Sequence, residues 1–399
     1  MRVTCVLGTR PEAIKFAPVI LALRGRRGIA CDIVSTGQHR DLVRQALAGF
    51  GLVPDHDLAL MRPDQTLTQL TTGALEGLAP WLDDARPDWV LVQGDTTTAM
   101  AAAMAGFYAR IRVGHVEAGL RTGNPLSPWP EEMNRSLITR LATRHFAPTP
   151  IAAANLRREG IAEAAITVTG NTGIDALLMV ARRTAGDTAL AERFAFLDSQ
   201  RRLILVTGHR RESFSGGLAR VAEAIAELAA RPDVQVVFAL HLNPRAERPA
   251  RAALGHLPNV HLLPPQEHAS FVWLMQRAHL IVTDSGGVQE EAPSLGRPVL
   301  VTRNESDRPE AIIAGTARLV GTGGAELLRE AGRLLDDPQA WRAMVQAGNP
   351  YGDGEAAGRI VEALLADEQD AINPPGRGWP HLPARRRGSE LPAGAAVEP

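Results

Sequence analysis

With 399 residues the chain is longer than one hydrophobic core usually serves, and its 45% hydrophobic content is enough to fill two. A formal net charge of −1 excludes a sequence-independent nucleic-acid binder, which needs a basic surface for the phosphate backbone. The two cysteines, Cys5 and Cys31, each sit inside an apolar strand-like run, so neither metal-ligand spacing nor a disulfide framework is indicated and both read as core residues.

The first residues, MRVTCVLGTRPE, meet charge too soon for a signal peptide, and no run reaches the ~18 apolar residues that a bilayer crossing requires. A soluble cytoplasmic protein with no membrane and no nucleic-acid partner is the expectation. Of the 43 basic residues only Lys15 is not arginine. Such a skew reflects codon bias. The one lysine left either survives by chance or stands where a compact point charge works and a guanidinium fork does not.

In chain order, short apolar runs alternate with longer amphipathic stretches, the pattern of a parallel sheet wound with helices. Strands are predicted at VTCVLG, CDIVSTG, DWVLVQG, RVGHVE, HFAPT and ITVTG. After a strand-free helical passage over 173–200 they return at RLILVTG, VQVVFAL, VHLLP, LIVTD, PVLVTR and ARLVG. This predicts an α/β fold of two Rossmann-like, doubly wound domains, 1–172 and 173–351. Nearly every strand leaves into polar letters, among them GTRPE, QGDTTT, EAGLR, TGHRRES, TDSGG and TRNESDRPE. Ligands of open α/β sheets sit at those carboxyl ends, so two such edges facing each other make one polar cleft. From 369 to 399, six prolines and four glycines fall among 31 residues, the composition of an unpacked tail.

GTRPEAIK (8–15) is a strand-to-helix turn in which Pro11 suits the first helical position. Arg10 in the turn and Lys15 about one turn later suit a diphosphate whose charge rises as it leaves. Asp95, in VLVQGDTTTAM, stands where a buried strand stops and is either a helix cap or a catalytic carboxylate. Glu117 ends the next strand and should stand near it. In EEMNRSLITRLATR, Met133, Leu137 and Leu141 recur at four-residue spacing and predict the buried stripe. Glu131 and Arg135 then pair on another face, Glu131 at the helix N-terminus where the dipole favours its ionised form. TGHRRESF (207–214) brings His209 and Arg210 to the edge of the second sheet, with His209 a candidate acid or base. TDSGGVQEEAPSLG (283–296) follows a strand and opens a helix. There the amides of Ser285, Gly286 and Gly287 can face an anion, and Glu291 can accept from both hydroxyls of a ribose. Arg308, after another strand, could supply a third cation.

Together and in order, GTRPEAIKFAP, GDTTT, GHVEAGLRTGN, SPWPEEMNR, TGHRRESF, HLNP, TDSGGVQEEAPSLGRPVLV, RPEAI and NPYGDG resemble the non-hydrolysing UDP-N-acetylglucosamine 2-epimerases, over roughly residues 1–365. The resemblance implies a glycosyltransferase-B-like fold, a homodimer, and a last helix near 352–366 that returns to the first domain. It implies nucleotide-sugar contacts from Arg10, Lys15, Gln266, Phe271, Ser285, Gly286, Gly287, Glu291 and Arg308, and a catalytic group of Asp95, Glu117, Glu131 and His209. Some members are activated by a second UDP-GlcNAc, and the positions of that site are partly kept in Gln38, Glu131, Arg210 and His241. Asp41 and Asp64 depart from it, and Gln93 stands where a histidine is common.

The activity so implied is reversible epimerisation at carbon 2 of UDP-N-acetylglucosamine to UDP-N-acetylmannosamine. No carbonyl acidifies that carbon and no GxGxxG fingerprint points to a held NAD, so no cofactor and no metal is expected. If the anomeric C–O bond breaks first, the oxocarbenium-like centre acidifies carbon 2. A carboxylate then takes the proton, and the 2-acetamidoglucal is reprotonated on its other face as UDP adds back. A UDP-sugar-dependent glycosyltransferase of the same fold, a hydrolysing 2-epimerase and an idle UDP-GlcNAc sensor stand as alternatives.

Overall fold

The computed structural model describes residues 1–62, 64–208, 217–240, 244–306 and 308–372. Among these, the apolar runs of the first half form one parallel sheet: β1 (Arg2–Leu7), β2 (Ala30–Ser35), β3 (His56–Asp57), β4 (Trp89–Gln93), β5 (Arg112–Val116), β6 (Arg144–Ala147) and β7 (Ile166–Val168). Those of the second half form another: β8 (Arg202–Gly208), β9 (Val234–Leu240), β10 (Val260–Leu263), β11 (Ala278–Thr283), β12 (Val299–Val301) and β13 (Ala317–Leu319). The orders are β3-β2-β1-β4-β5-β6-β7 and β10-β9-β8-β11-β12-β13. Each is the doubly wound order, reversing between β1 and β4 and between β8 and β11, where such sheets open a crevice for ligands. The twelve predicted strands all form. The thirteenth, β3, is a two-residue edge strand, too short and too polar to leave a periodic signal.

Helices cover both faces of each sheet, which is why β1 and β4 read as near-continuous apolar runs rather than as alternations. Cys5 and Cys31 are free and buried on neighbouring strands, Sγ to Sγ 3.9 Å, as core residues. The first core joins Val3, Phe16, Ile20 and Trp89 to Ile360, Val361 and Leu364 of the last helix, Ala356–Ile372. That helix runs past the expected 366 and into residues read as tail, because ADEQDAI lacks the prolines and glycines that follow it. Its Asp367 and Glu368 pair with Arg144 and Arg112, fixing it across the sheet. Residues 373–399 lie outside the described residues. Between the sheets, the helix Thr172–Thr184 packs on both the helix Arg10–Arg24 and the helix His268–Arg277, so it belongs to the junction of the two lobes. Among the described residues no helix is long and apolar enough to cross a membrane.

Candidate active site

Three turns of the first lobe meet at its crevice, those after β1, β4 and β5. The helix Arg10–Arg24 starts with a capping box between Thr9 and Glu12, so Arg10 is its first residue and Pro11 its second. Glu12 is buried and accepts from the Gly8 and Thr9 amides at 3.1 and 2.7 Å and from the Thr96 hydroxyl at 2.7 Å. One carboxylate thus ties the β1 turn to the β4 turn. Burial pushes its pKa up, against the pull of these donors.

Asp95 is not the cap. The helix Thr97–Tyr108 is capped by Thr96, whose hydroxyl accepts from the Ala99 amide at 3.0 Å. This leaves Asp95 outside the helix and available to others. Arg135 Nη2 donates to its Oδ2 at 2.5 Å, and Asn134 Nδ2 donates to its backbone carbonyl at 2.9 Å. His115, fully buried, bonds the carbonyl of Gly94 at 2.8 Å through Nε2 and steadies the residue before it. Burial pushes the Asp95 carboxyl above its ordinary range. Arg135 opposes this, the Glu117 carboxylate adds to it, Lys15 opposes and Glu131 adds.

Glu117 follows β5 with a φ of +66°, a left-handed conformation a non-glycine residue holds at a cost of about 1 kcal/mol or more. Its Oε2 takes hydrogen bonds from Lys15 Nζ and, at 2.9 Å, from Gln93 Nε2. Burial works against the Lys15 charge, but Glu117 and Glu290 outweigh it despite Arg308, and its pKa is raised. The one lysine of the chain therefore stands between carboxylates of the two lobes. Glu131 is the first residue of the helix Glu131–Leu141, at the dipole-favoured end, close enough to influence Asp95.

The second lobe meets this cluster with the turns after β11 and β12. Ser285 precedes the short helix Gly286–Glu291, and its own amide donates to Thr283 Oγ1 at 3.0 Å. The expected trio of anion-facing amides is thereby reduced to Gly286 and Gly287, which as first-turn residues have no partner within the helix. Arg308 Nε pairs with Glu290, whose other oxygen accepts from Asn171 of the first lobe at 2.7 Å. Glu291 is pushed up to about 7 by burial and by Glu290, with Lys15 opposing. A second bond crosses the lobes from Thr149 Oγ1 to Glu310 at 3.1 Å. Gln266 accepts from Arg193 at 3.0 Å, and Phe271 packs on the core under the helix His268–Arg277. Gln38 accepts from Thr98 Oγ1 at 3.0 Å. His209, Arg210 and His241 lie outside the described residues.

One expectation reverses. Of the expected stripe, Leu141 is half-buried against the core but Met133 and Leu137 are 43% and 42% exposed, and the buried residues of their helix are Glu132, Asn134, Ile138 and Thr139. The four-residue spacing fits either face of so short a helix. The polar face goes inward because its groups are satisfied: Glu132 accepts the Thr122 and Gly123 amides at 3.0–3.1 Å, and Asn134 holds Asp95. Arg135 accordingly pairs with Asp95 and Glu132, touching Glu131 only at its backbone carbonyl. Glu12, Asn134, Asn171 and Glu290 were missed as site residues. Glu290 left a trace, the doubled acid in VQEEA; a lone Asn leaves none.

Two doubly wound lobes, with carboxylates and a lysine on one edge and a glycine turn with an arginine on the other, define the class of two-lobed nucleotide-sugar enzymes. The family model described as UDP-N-acetylglucosamine 2-epimerase matches residues 21–365. The chain is 53% identical to the UDP-N-acetylglucosamine 2-epimerase of Salmonella typhimurium over 91% of its own length and 98% of the relative's. It resembles the crystal structure of UDP-GlcNAc 2-epimerase from Neisseria meningitidis bound to UDP-GlcNAc, with TM-score 0.83, 46% identity, and coverage of 92% and 100% of the two chains. It also resembles the Methanocaldococcus jannaschii UDP-GlcNAc 2-epimerase in complex with UDP-GlcNAc and UDP, with TM-score 0.74, 33% identity, and 92% and 100% coverage. The chain belongs to the UDP-N-acetylglucosamine 2-epimerase family.

Proposed function

We propose that this enzyme interconverts UDP-N-acetylglucosamine and UDP-N-acetylmannosamine by eliminating UDP and adding it back. The observation that carries the reading is the gathering of Glu117, Lys15 and Glu131 around Asp95, with Lys15 also feeling Glu290 and Arg308 of the facing lobe. Arg10, Lys15, Arg308 and the Gly286 and Gly287 amides take the diphosphate as the C1–O bond breaks and its electron pair leaves on the phosphate oxygen. Glu291 holds the ribose, while Ser285, Gln266 and Phe271 border the nucleotide. One carboxylate of the first lobe removes the carbon 2 proton, whose electrons close the C1–C2 double bond. Another acid, from the same group or from His209, returns a proton to the opposite face, and UDP re-adds at C1. Asp95, its carboxyl already raised by burial, suits the acid role in one direction.

The test is incubation with UDP-GlcNAc in D₂O, followed by NMR. Deuterium at carbon 2 of UDP-ManNAc supports the reading. Free N-acetylmannosamine would mean hydrolysis, and an unchanged sugar would mean a transferase awaiting an acceptor or a sensor.

We propose further that the enzyme works as a homodimer in the cytoplasm. In support of the dimer, Met133 and Leu137 are exposed along one helix face, preceded by exposed Leu126 and Trp129. Light scattering of a Met133→Glu, Leu137→Glu variant that still ran at the mass of the wild type would remove that support.

A further inference from the structure

Gln93 is the last residue of β4 and is 3% exposed, an uncharged amide buried beside a cluster of charges. It lies opposite Val116 in the register of β4 and β5, so its side chain reaches the next residue of β5's chain, Glu117. Its Nε2 donates to Glu117 Oε2 at 2.9 Å, the same oxygen that Lys15 holds. Among the described residues Oε1 has no hydrogen-bond partner, so both fixed donors grip one oxygen and leave the other.

We propose that Gln93 is a positioning residue for Glu117, a donor that no change of pH removes, which pins Oε2 so that Oε1 is presented to the sugar whatever Lys15 is doing. This rests on the proton-transfer role given to Glu117 above. Lys15 alone cannot supply the constraint in that scheme. When the diphosphate leaves, the ammonium is drawn toward it, and at the moment the proton moves Glu117 would lose the one other anchor it has among the described residues. The amide stays. Because an amide does not titrate, the orientation of Glu117 becomes independent of solution pH through this contact. A carboxyl of the same shape would donate only while it held its proton. Among the described residues the charged and titratable groups about this contact are Lys15 from the helix Arg10–Arg24, which holds Glu117, and Asp95 from the β4 turn, which in turn feels Glu131 and Arg135 from the helix Glu131–Leu141. Across the cleft stand Glu290 and Arg308.

Two variants test the proposal against the wild type. Gln93→Met keeps the length and removes the donor. It should lower kcat about 10- to 100-fold, the worth of one hydrogen bond to a charged group, with KM within about twofold. Gln93→Glu keeps the shape but donates only while it holds its proton, so its kcat relative to the wild type should fall as pH rises, a dependence that the amide lacks. A wild-type kcat for Gln93→Met would overturn the proposal. So would a Gln93→Glu variant whose kcat follows the wild type at every pH, which decides the matter alone should the methionine variant not fold. Failure of the preceding reading is separate: it would appear as absence of solvent deuterium at carbon 2 in the wild-type reaction.

Discussion

Removing Arg135 separates what that residue does for stability from what it does for chemistry. Its guanidinium lies 2.5 Å from Asp95 and 3.6 Å from Glu132, with the Arg135 side chain 11% and that of Asp95 28% exposed. Glu132 keeps its amide donors when the arginine goes; Asp95 keeps none for Oδ2 among the described residues. Breaking a buried pair from one side costs about 3–5 kcal/mol, and the partial access of water to Asp95 places Arg135→Met near the lower end, about 3 kcal/mol. The cost depends on pH with a definite sign. The Asp95 carboxyl is raised in the folded state, and losing Arg135 raises it further. A raised carboxyl binds its proton more tightly folded than unfolded. The penalty is therefore absent below the unfolded value, grows as pH rises toward the folded one, and is complete above it. Urea unfolding of the wild type, Arg135→Met, Asp95→Asn and the double variant should then show the full loss at about pH 8 and a smaller one at about pH 5. In the Asp95→Asn background, losing the arginine should cost about 1 kcal/mol or less. Turnover should fail in all three variants. An equal cost of removing Arg135 with and without the Asp95 charge, or a loss that ignores pH, would refute the reasoning.

Asp95→Asn alone should lower kcat by about 10²-fold or more while UDP affinity holds, and should cost less stability than Arg135→Met, because Arg135 keeps Glu132 and because Thr96, not Asp95, caps the next helix. Thr96→Ala, by contrast, should cost about 1 kcal/mol in urea unfolding, and more if Glu12 cannot find another hydroxyl. In the ribose-holding role proposed for it, Glu291, raised to about 7, must ionise for both of its oxygens to accept from ribose hydroxyls; KM for UDP-GlcNAc should then fall between about pH 6 and about pH 8, and Glu291→Gln should flatten that dependence and raise KM. His115 and His145 are held at about 3 and about 4 by burial, so the unfolded chain takes up their protons first. Each should remove about 1.4 kcal/mol of stability per pH unit as pH falls below about 6.5, and their imidazole NMR signals should stay neutral at pH 5 in the folded protein. Titration of either near 6.5 would contradict this.

Where reading the sequence failed, it failed on faces and partners. Met133 and Leu137 were assigned to the core by spacing alone, whereas the helix turns Asn134 and Glu132 inward because backbone groups of Asp95, Thr122 and Gly123 are waiting there. Likewise Arg135 finds Asp95 forty positions away and not Glu131 four away. The amide of Ser285 is spent on Thr283, which no motif announces.

Apolar runs of β-branched residues broken by polar turns were enough to determine twelve strands, their parallel winding and the edges at which chemistry would collect, since backbone pairing and burial on two faces depend on local composition. Which side chains meet at those edges was decided only when β1 came to lie between β2 and β4. That order sets Lys15, Gln93, Asp95 and Glu117 within reach of one another. Hydrogen bonds and charges act over a few ångströms, and a linear chain carries no record of which distant residues will be brought that close.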